Sequence, residues 1–124
     1  MAEILYKEES FELIGICMKV HRELGPGFKE VVYKDALELE FQANNIPYVR
    51  EKSFTVSYKG LGLRRKFCVD FIVYDSILLE AKSTSTIIQR FVSIVLNYLR
   101  VTGLKLGIIA NFGESSFKYK RVIC

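Results

Sequence analysis

With 124 residues, half of them hydrophobic and 26% charged, the sequence has the balance of a soluble globular chain, and its length predicts a single domain over residues 1–124. A formal charge of +4 leans toward a polyanion partner without requiring one, and no apolar run approaches the ~20 residues of a membrane-spanning helix, so no membrane partner is expected. The charged start MAEILYKEESFEL does not read as a secretory leader, and Cys17, Cys68 and Cys124 match neither a disulfide framework nor a metal spacing, which predicts a cytoplasmic protein. The first helix is predicted from Ser10, read as an N-cap, to Leu24, because Leu13, Cys17, Val20 and Leu24 recur at helical spacing before Gly25-Pro26-Gly27. His21, the only histidine, falls on its polar face, with a surface or local structural role. A second helix is predicted from Glu30 to Asn44-Asn45, with Tyr33, Ala36, Leu37 and Phe41 on its apolar face.

The period then changes. Phe54, Val56 and Tyr58 alternate with Thr55 and Ser57 in a strand running from Tyr48 to Tyr58. A turn over Lys59-Gly60-Leu61-Gly62 leads to a second strand, Arg64 to Tyr74, and a third follows from Ile77 to Lys82. Ile87, Phe91, Ile94, Val95, Tyr98 and Leu99 trace a third helix closed by Gly103. Leu106 to Asn111 reads as a buried strand, and Phe117 to Ile123 as an edge strand that can pair with a second copy. The order is ααβββαβ(β), an α/β (α+β) chain with a central mixed sheet of four to five strands flanked by helices. Its charge divides unevenly: residues 1–45 carry nine acidic and five basic side chains, residues 46–124 five acidic and thirteen basic. The basic excess around Lys59, Arg64, Arg65 and Lys66 reads equally as solvated surface and as a phosphate-facing patch.

Three charged residues interrupt apolar strands and need a reason, since a buried charge is costly unless paired or metal-bound. Asp70 lies within Phe67–Val73, and Glu80 and Lys82 end the run Ile77–Lys82. Glu80 and Lys82, two apart, share a strand face. Asp70 joins them only in one hairpin register. A two-residue loop sets Asp70 opposite Ala81, whereas a three-residue loop, Tyr74 to Ser76, sets it opposite Glu80; the second is predicted. Two carboxylates and an ammonium on one face suit a hard divalent cation and phosphoryl chemistry, or else a structural ion pair at a strand end.

Asp70, nine intervening residues and Glu80-Ala81-Lys82 resemble the PD-(D/E)XK nuclease superfamily. The likeness is closer to its GxxExxY branch, whose motif reads here Gly27-Phe28-Lys29-Glu30-Val31-Val32-Tyr33. It extends through His21–Gly27, Leu96–Leu99, Thr102–Gly107 and Asn111-Phe112-Gly113. The resemblance implies a restriction-endonuclease-like core in which Glu30 approaches Asp70, Glu80 and Lys82. It also implies Asp70 and Glu80 as metal ligands, with the Ala81 carbonyl as a third and Glu30 acting through water or a second ion. Outside the resemblance, Glu30 reads as a first-turn acid complementing the helix dipole, with Tyr33 on its face. Relatives commonly carry histidine and glutamine on the last core helix, where this chain has Phe91 and Ile94.

The leading expectation is a nuclease using Mg²⁺, with Mn²⁺ substituting, on nucleic acid and on DNA before RNA. Glu30, Asp70, Glu80 and Lys82 are its catalytic set, and Tyr33, Arg64, Lys66 and Tyr98 contact substrate. Two alternatives stay open: a nuclease-like module that binds nucleic acid without cutting it, and a protein-interaction subunit.

Overall fold

The computed structural model of the chain describes residues 4–124, so Met1–Glu3, at the head of the charged start, lie outside the described residues. Helix α1 spans Lys7–Leu24, beginning ahead of Ser10. Glu8 and Glu9 in its first turn complement the helix dipole. Ser10 is therefore no N-cap: it is buried within the helix, its hydroxyl donating to the Lys7 carbonyl and accepting from Arg121 at 2.8 Å. Helix α2 spans Glu30–Ala43 and ends on Asn44 and a left-handed Asn45.

Strands β1 (Tyr48–Tyr58) and β2 (Leu61–Val73) form a long hairpin. Its turn is only Lys59-Gly60, both at positive φ, the geometry that matches the twist of paired strands. Strand β3 (Ile77–Lys82) returns beside β2, and helix α3 (Gln89–Thr102) carries the chain over to β4 (Leu106–Asn111), parallel to β3. Strand β5 (Lys118–Ile123) closes the sheet on an edge, antiparallel to β4. The order β1-β2-β3-β4-β5, with one parallel pair, is the mixed sheet expected.

Helices cover both faces. On one, Leu13 of α1 and Tyr33, Leu37 and Phe41 of α2 pack with Phe71, Leu79, Ala81 and Ile108. On the other, Val95 and Leu99 of α3 pack with Val69, Leu78, Ile109 and Val122. Gly107 permits this second contact, since a Cβ there would lie 2.6 Å from a Val95 methyl. Each large aliphatic or aromatic side chain so buried contributes about 1.5–3 kcal/mol of transfer free energy.

Two details position the site. Strand β2 pairs with β3 through Phe71–Leu79, Ile72–Leu78 and Val73–Ile77. This is the register of the three-residue loop, and it carries Asp70 opposite Glu80 where the paired stretch ends. Strand β2 also turns about its axis at Asp70: Val69 packs on the α3 side and Phe71 on the α1–α2 side, although they are two residues apart. In the facing strand Glu51 adopts φ 56 and falls between the pairs Arg50–Phe71 and Lys52–Val69. The twist lets the Asp70 side chain leave between the two strands rather than into either core.

Candidate active site

Asp70 sits in this gap. Its Oδ2 accepts the Ala81 backbone N–H at 2.8 Å, the place a ladder carbonyl would otherwise take. Its Oδ1 is 3.1 Å from the Lys34 ammonium of α2, which also lies 2.8 Å from Glu51 Oε1. Burial alone would lower the Lys34 pKa, but the hydrogen bonds and charges of Glu51 and Asp70 outweigh it and hold it above the usual range. The same bond to Lys34 keeps Glu51 below its ordinary value.

Glu80 is 7% exposed, and its Oε1 has no hydrogen-bond partner. Burial pushes its carboxyl up to about 9, helped by the negative charge of Asp70 and opposed by Lys82. Leu78 packs under α3, so alternation aims Glu80 and Lys82 to that same side. Consistently, the half-buried Lys82 places its ammonium 4.7 Å from the centre of the Phe91 ring. Phe91 thus provides the seat on which the lysine rests. The expected trio of Asp70, Glu80 and Lys82 comes together at the β2–β3 end.

Glu30 reaches the chain just beyond this trio rather than its side chains. It is the first residue of α2, and its Oε2 is 3.4 Å from the Ser83 N–H, the residue after Lys82. A cleft of about 690 Å³ opens there, lined by Gly27, Phe28, Lys29, Glu30, Ser83 and Thr84 among others. Tyr33 has a different place from the substrate contact expected. It is fully buried and stacked on Phe112 at 4.7 Å, because the helix turn that exposes Glu30 sends Tyr33 into the core. Its hydroxyl donates to the Gly25 carbonyl at 2.5 Å and accepts the Phe28 N–H at 3.2 Å, so it shapes the loop leading to Glu30.

A second polar anchor was not singled out from the sequence. Asn111, buried at the end of β4, accepts the N–H groups of Thr84 and Gly113 and donates to the Thr84 carbonyl and to Glu114 Oε2, at 2.8–3.1 Å. The Phe112 N–H donates to the Lys82 carbonyl at 2.8 Å. Together these bonds fix the chain just beyond Lys82. Gly113 lies so close to it that a Cβ would come within 2.3 Å of the Thr84 nitrogen. His21 is also buried rather than on a polar face: its Nε2 is 2.8 Å from the Glu114 carbonyl, and its ring lies among Phe112 and Phe117.

Of the other expected substrate contacts, Arg64 and Lys66 are exposed on the free part of the β1–β2 hairpin. From Lys52 to Val69 inclusive that arm carries five basic residues and no acidic one. Tyr98 of α3 stacks on Phe67 of the arm at 4.4 Å with rings 4° from parallel. Burial first, then the charges of Glu80 and Asp70, raises its hydroxyl pKa.

The donor set fits a hard divalent cation: adjacent carboxylates, one oxygen of Glu80 buried without a donor, and a neighbouring ammonium suited to phosphoryl charge. Among the described residues no group of three or more His, Cys, Asp or Glu is close enough to hold a metal, so side chains supply at most two ligands and Glu30 lies outside the pair.

Comparison with known proteins bears on the family and the fold. The profile of the PD-(D/E)XK nuclease superfamily matches residues 7–122. The chain is similar to the crystal structure of SSO0001, with a TM-score of 0.61 and 15% identity over 95% of this chain and 57% of that one. It is also similar to the alkaline exonuclease LHK-Exo from Laribacter hongkongensis, with a TM-score of 0.53 and 10% identity over 99% of this chain and 72% of that one. At these identities the likeness is one of fold. No curated protein matches the chain.

Proposed function

The chain belongs to the PD-(D/E)XK nuclease superfamily, and from that membership we propose that it hydrolyses phosphodiester bonds of nucleic acid, DNA before RNA, at Asp70 and Glu80 with Mg²⁺ or, in its place, Mn²⁺. One observation carries the reading. A carboxylate buried beside a second carboxylate, with one oxygen lacking any donor, is unfavourable for folding and is accounted for by a cation.

In this reading Asp70 and Glu80 hold the ion, with the Ala81 carbonyl a further oxygen donor and Glu30 acting through water from its place at Ser83. A divalent cation held there would supply polarisation of a phosphoryl oxygen and acidification of the attacking water. Lys82, at the same strand end, orients the attacking water or neutralises charge developing on the phosphorus oxygens. The clamp of Asn111 on Thr84 keeps Lys82 from drifting. Arg64 and Lys66 track the phosphate backbone along the basic arm, and Tyr98 borders the substrate path. Within the superfamily the motif around Glu30 favours the GxxExxY branch, and the free cysteines suit the cytoplasm.

A second reading, a module that binds nucleic acid without cutting it, is favoured by one specific contact. Lys82 rests on Phe91, where relatives commonly carry histidine, and that seat holds the ammonium on an apolar ring.

The test is cleavage of single- and double-stranded DNA and RNA with Mg²⁺ or Mn²⁺, beside Asp70→Asn, Lys82→Ala and an EDTA control. The proposal expects wild-type cleavage of DNA, abolished by EDTA and reduced at least about a hundredfold in both variants. Salt-sensitive DNA binding that persists in EDTA, without cleavage, would establish the second reading instead.

A further inference from the structure

Lys34 follows Glu30 by one helical turn, so both side chains leave the same flank of α2. It is 12% exposed, and its ammonium is held by two acids at once: Asp70 Oδ1 at 3.1 Å and Glu51 Oε1 at 2.8 Å. The two oxygens of Asp70 are held differently. Oδ2 is fixed by a backbone N–H of the sheet, whereas Oδ1 is held by an ammonium on a flexible four-carbon stem. The second anchor is built into the fold, because Glu51 occupies the left-handed position opposite Asp70. Arg50, beside it, ties β1 to Asp35 and Glu38 of α2 at 2.8 and 2.9 Å, so the two elements carrying Lys34 and Glu51 are docked.

From this geometry we infer that Lys34 is a positioning residue that competes with the divalent cation for Asp70 and withdraws to Glu51 when the cation takes Oδ1. The inference rests on the cation reading above and adds to it a built-in competitor that sets the affinity of the site. An ammonium and a divalent ion on one half-buried carboxylate oxygen repel each other. A half-buried ammonium released without a partner would be costly. Glu51 removes that cost, since it is already the shorter of the two contacts and is half exposed, with room to follow a small movement. The exchange needs a shift of the lysine stem only, with no movement of α2 or the sheet.

The test is Mn²⁺ binding to the full chain by titration calorimetry at fixed ionic strength, with folding checked by circular dichroism. Lys34→Met keeps the apolar stem and removes the charge; it is expected to bind Mn²⁺ about tenfold more tightly. Lys34→Arg keeps the competing charge and stays near the wild-type affinity. Glu51→Gln leaves Lys34 leaning on Asp70 alone and weakens binding about fivefold. In the Lys34→Met background the same Glu51→Gln change shifts affinity by less than about twofold, because its effect runs through the lysine.

Weaker or unchanged binding by Lys34→Met would overturn the inference and leave Lys34 a structural tie. An equal loss from Glu51→Gln in both backgrounds would overturn it too, making Glu51 a plain charge. Should Lys34→Met fail to fold, Lys34→Gln replaces it in both comparisons. Absence of Mn²⁺ binding in wild type and variant alike would overturn the cation reading as well, an outcome distinct from wild-type binding that fails to tighten.

Discussion

Replacing Glu80 by glutamine is expected to stabilise the metal-free protein at neutral pH, an unusual result for a buried residue of a functional site. The carboxyl is 7% exposed, lacks a donor on Oε1, and is pushed from an ordinary value of 4.5 up to about 9 by burial and then by Asp70. A raised folded-state value means that folding takes up a proton between about pH 4.5 and about 9. The protonated group is therefore fully accommodated below the lower value, and stability is lost as pH rises toward the upper one. Each pH unit in that window costs about 1.4 kcal/mol, so at pH 7 the ceiling is about 3 kcal/mol. Lys82 offsets part of the cost. A gain of about 2 kcal/mol, or roughly 5–10 °C in thermal midpoint, is expected for Glu80→Gln. The amide keeps the volume and removes the charge that burial and Asp70 disfavour. Urea denaturation in EDTA from about pH 5 to about 9 reads this directly: the two proteins start together and diverge as pH rises. Added Mn²⁺ closes the gap by binding the wild type alone. A difference independent of pH, or a wild type more stable throughout, would refute the reasoning.

Other perturbations separate the parts of the site. Asn111→Ala strands the buried N–H groups of Thr84 and Gly113, and is expected to cost about 3 kcal/mol in denaturant unfolding. It should also lower the turnover number more than it raises the Michaelis constant, because the loop it releases follows Lys82. Arg64→Ala and Lys66→Ala, on the exposed arm, should weaken DNA binding while leaving thermal stability within about 0.5 kcal/mol. Each is expected to reduce the salt dependence of binding by about one unit of log–log slope, and an unchanged slope would remove the arm from the nucleic-acid path. Tyr33→Phe breaks the bonds to Gly25 and Phe28 and should cost about 1 kcal/mol of stability without changing DNA affinity. A selective loss of affinity would return Tyr33 to the substrate contact it was expected to be.

Much of this was legible because the period of apolar residues changes cleanly between helix and strand. The limits of β1, β3 and β4 match the alternating or continuous apolar runs that define them. Asp70, Glu80 and Lys82 were visible as charges where the neighbours are apolar, and of the two loop lengths weighed, the predicted three-residue loop gives the register that joins them. Residues on helices were harder, because one helical pattern is compatible with several neighbours. Lys34 looks like surface charge until α2 is docked on β1 and β2, and Tyr33 shares a helix flank with Glu30 yet points to Phe112. His21 sits on the polar side of its own helix but is covered by the loop after β4, a contact 93 residues away in the chain. Asn111 was the missed signal: a polar residue closing an apolar strand has the same irregularity that singled out Asp70. Ser10 shows local preference giving way, since α1 starts ahead of it, with Glu8 and Glu9 complementing the dipole, and the serine is used by Arg121.

The central claim, that Asp70 and Glu80 form a divalent-cation site beside Lys82, is tested most directly by anomalous diffraction from crystals soaked in Mn²⁺. The expected result is a peak between the two carboxylates, accompanied by movement of Lys34 toward Glu51. A soaked crystal with no peak there, Glu80 Oε1 still without a partner and Lys34 still on Asp70, would contradict it.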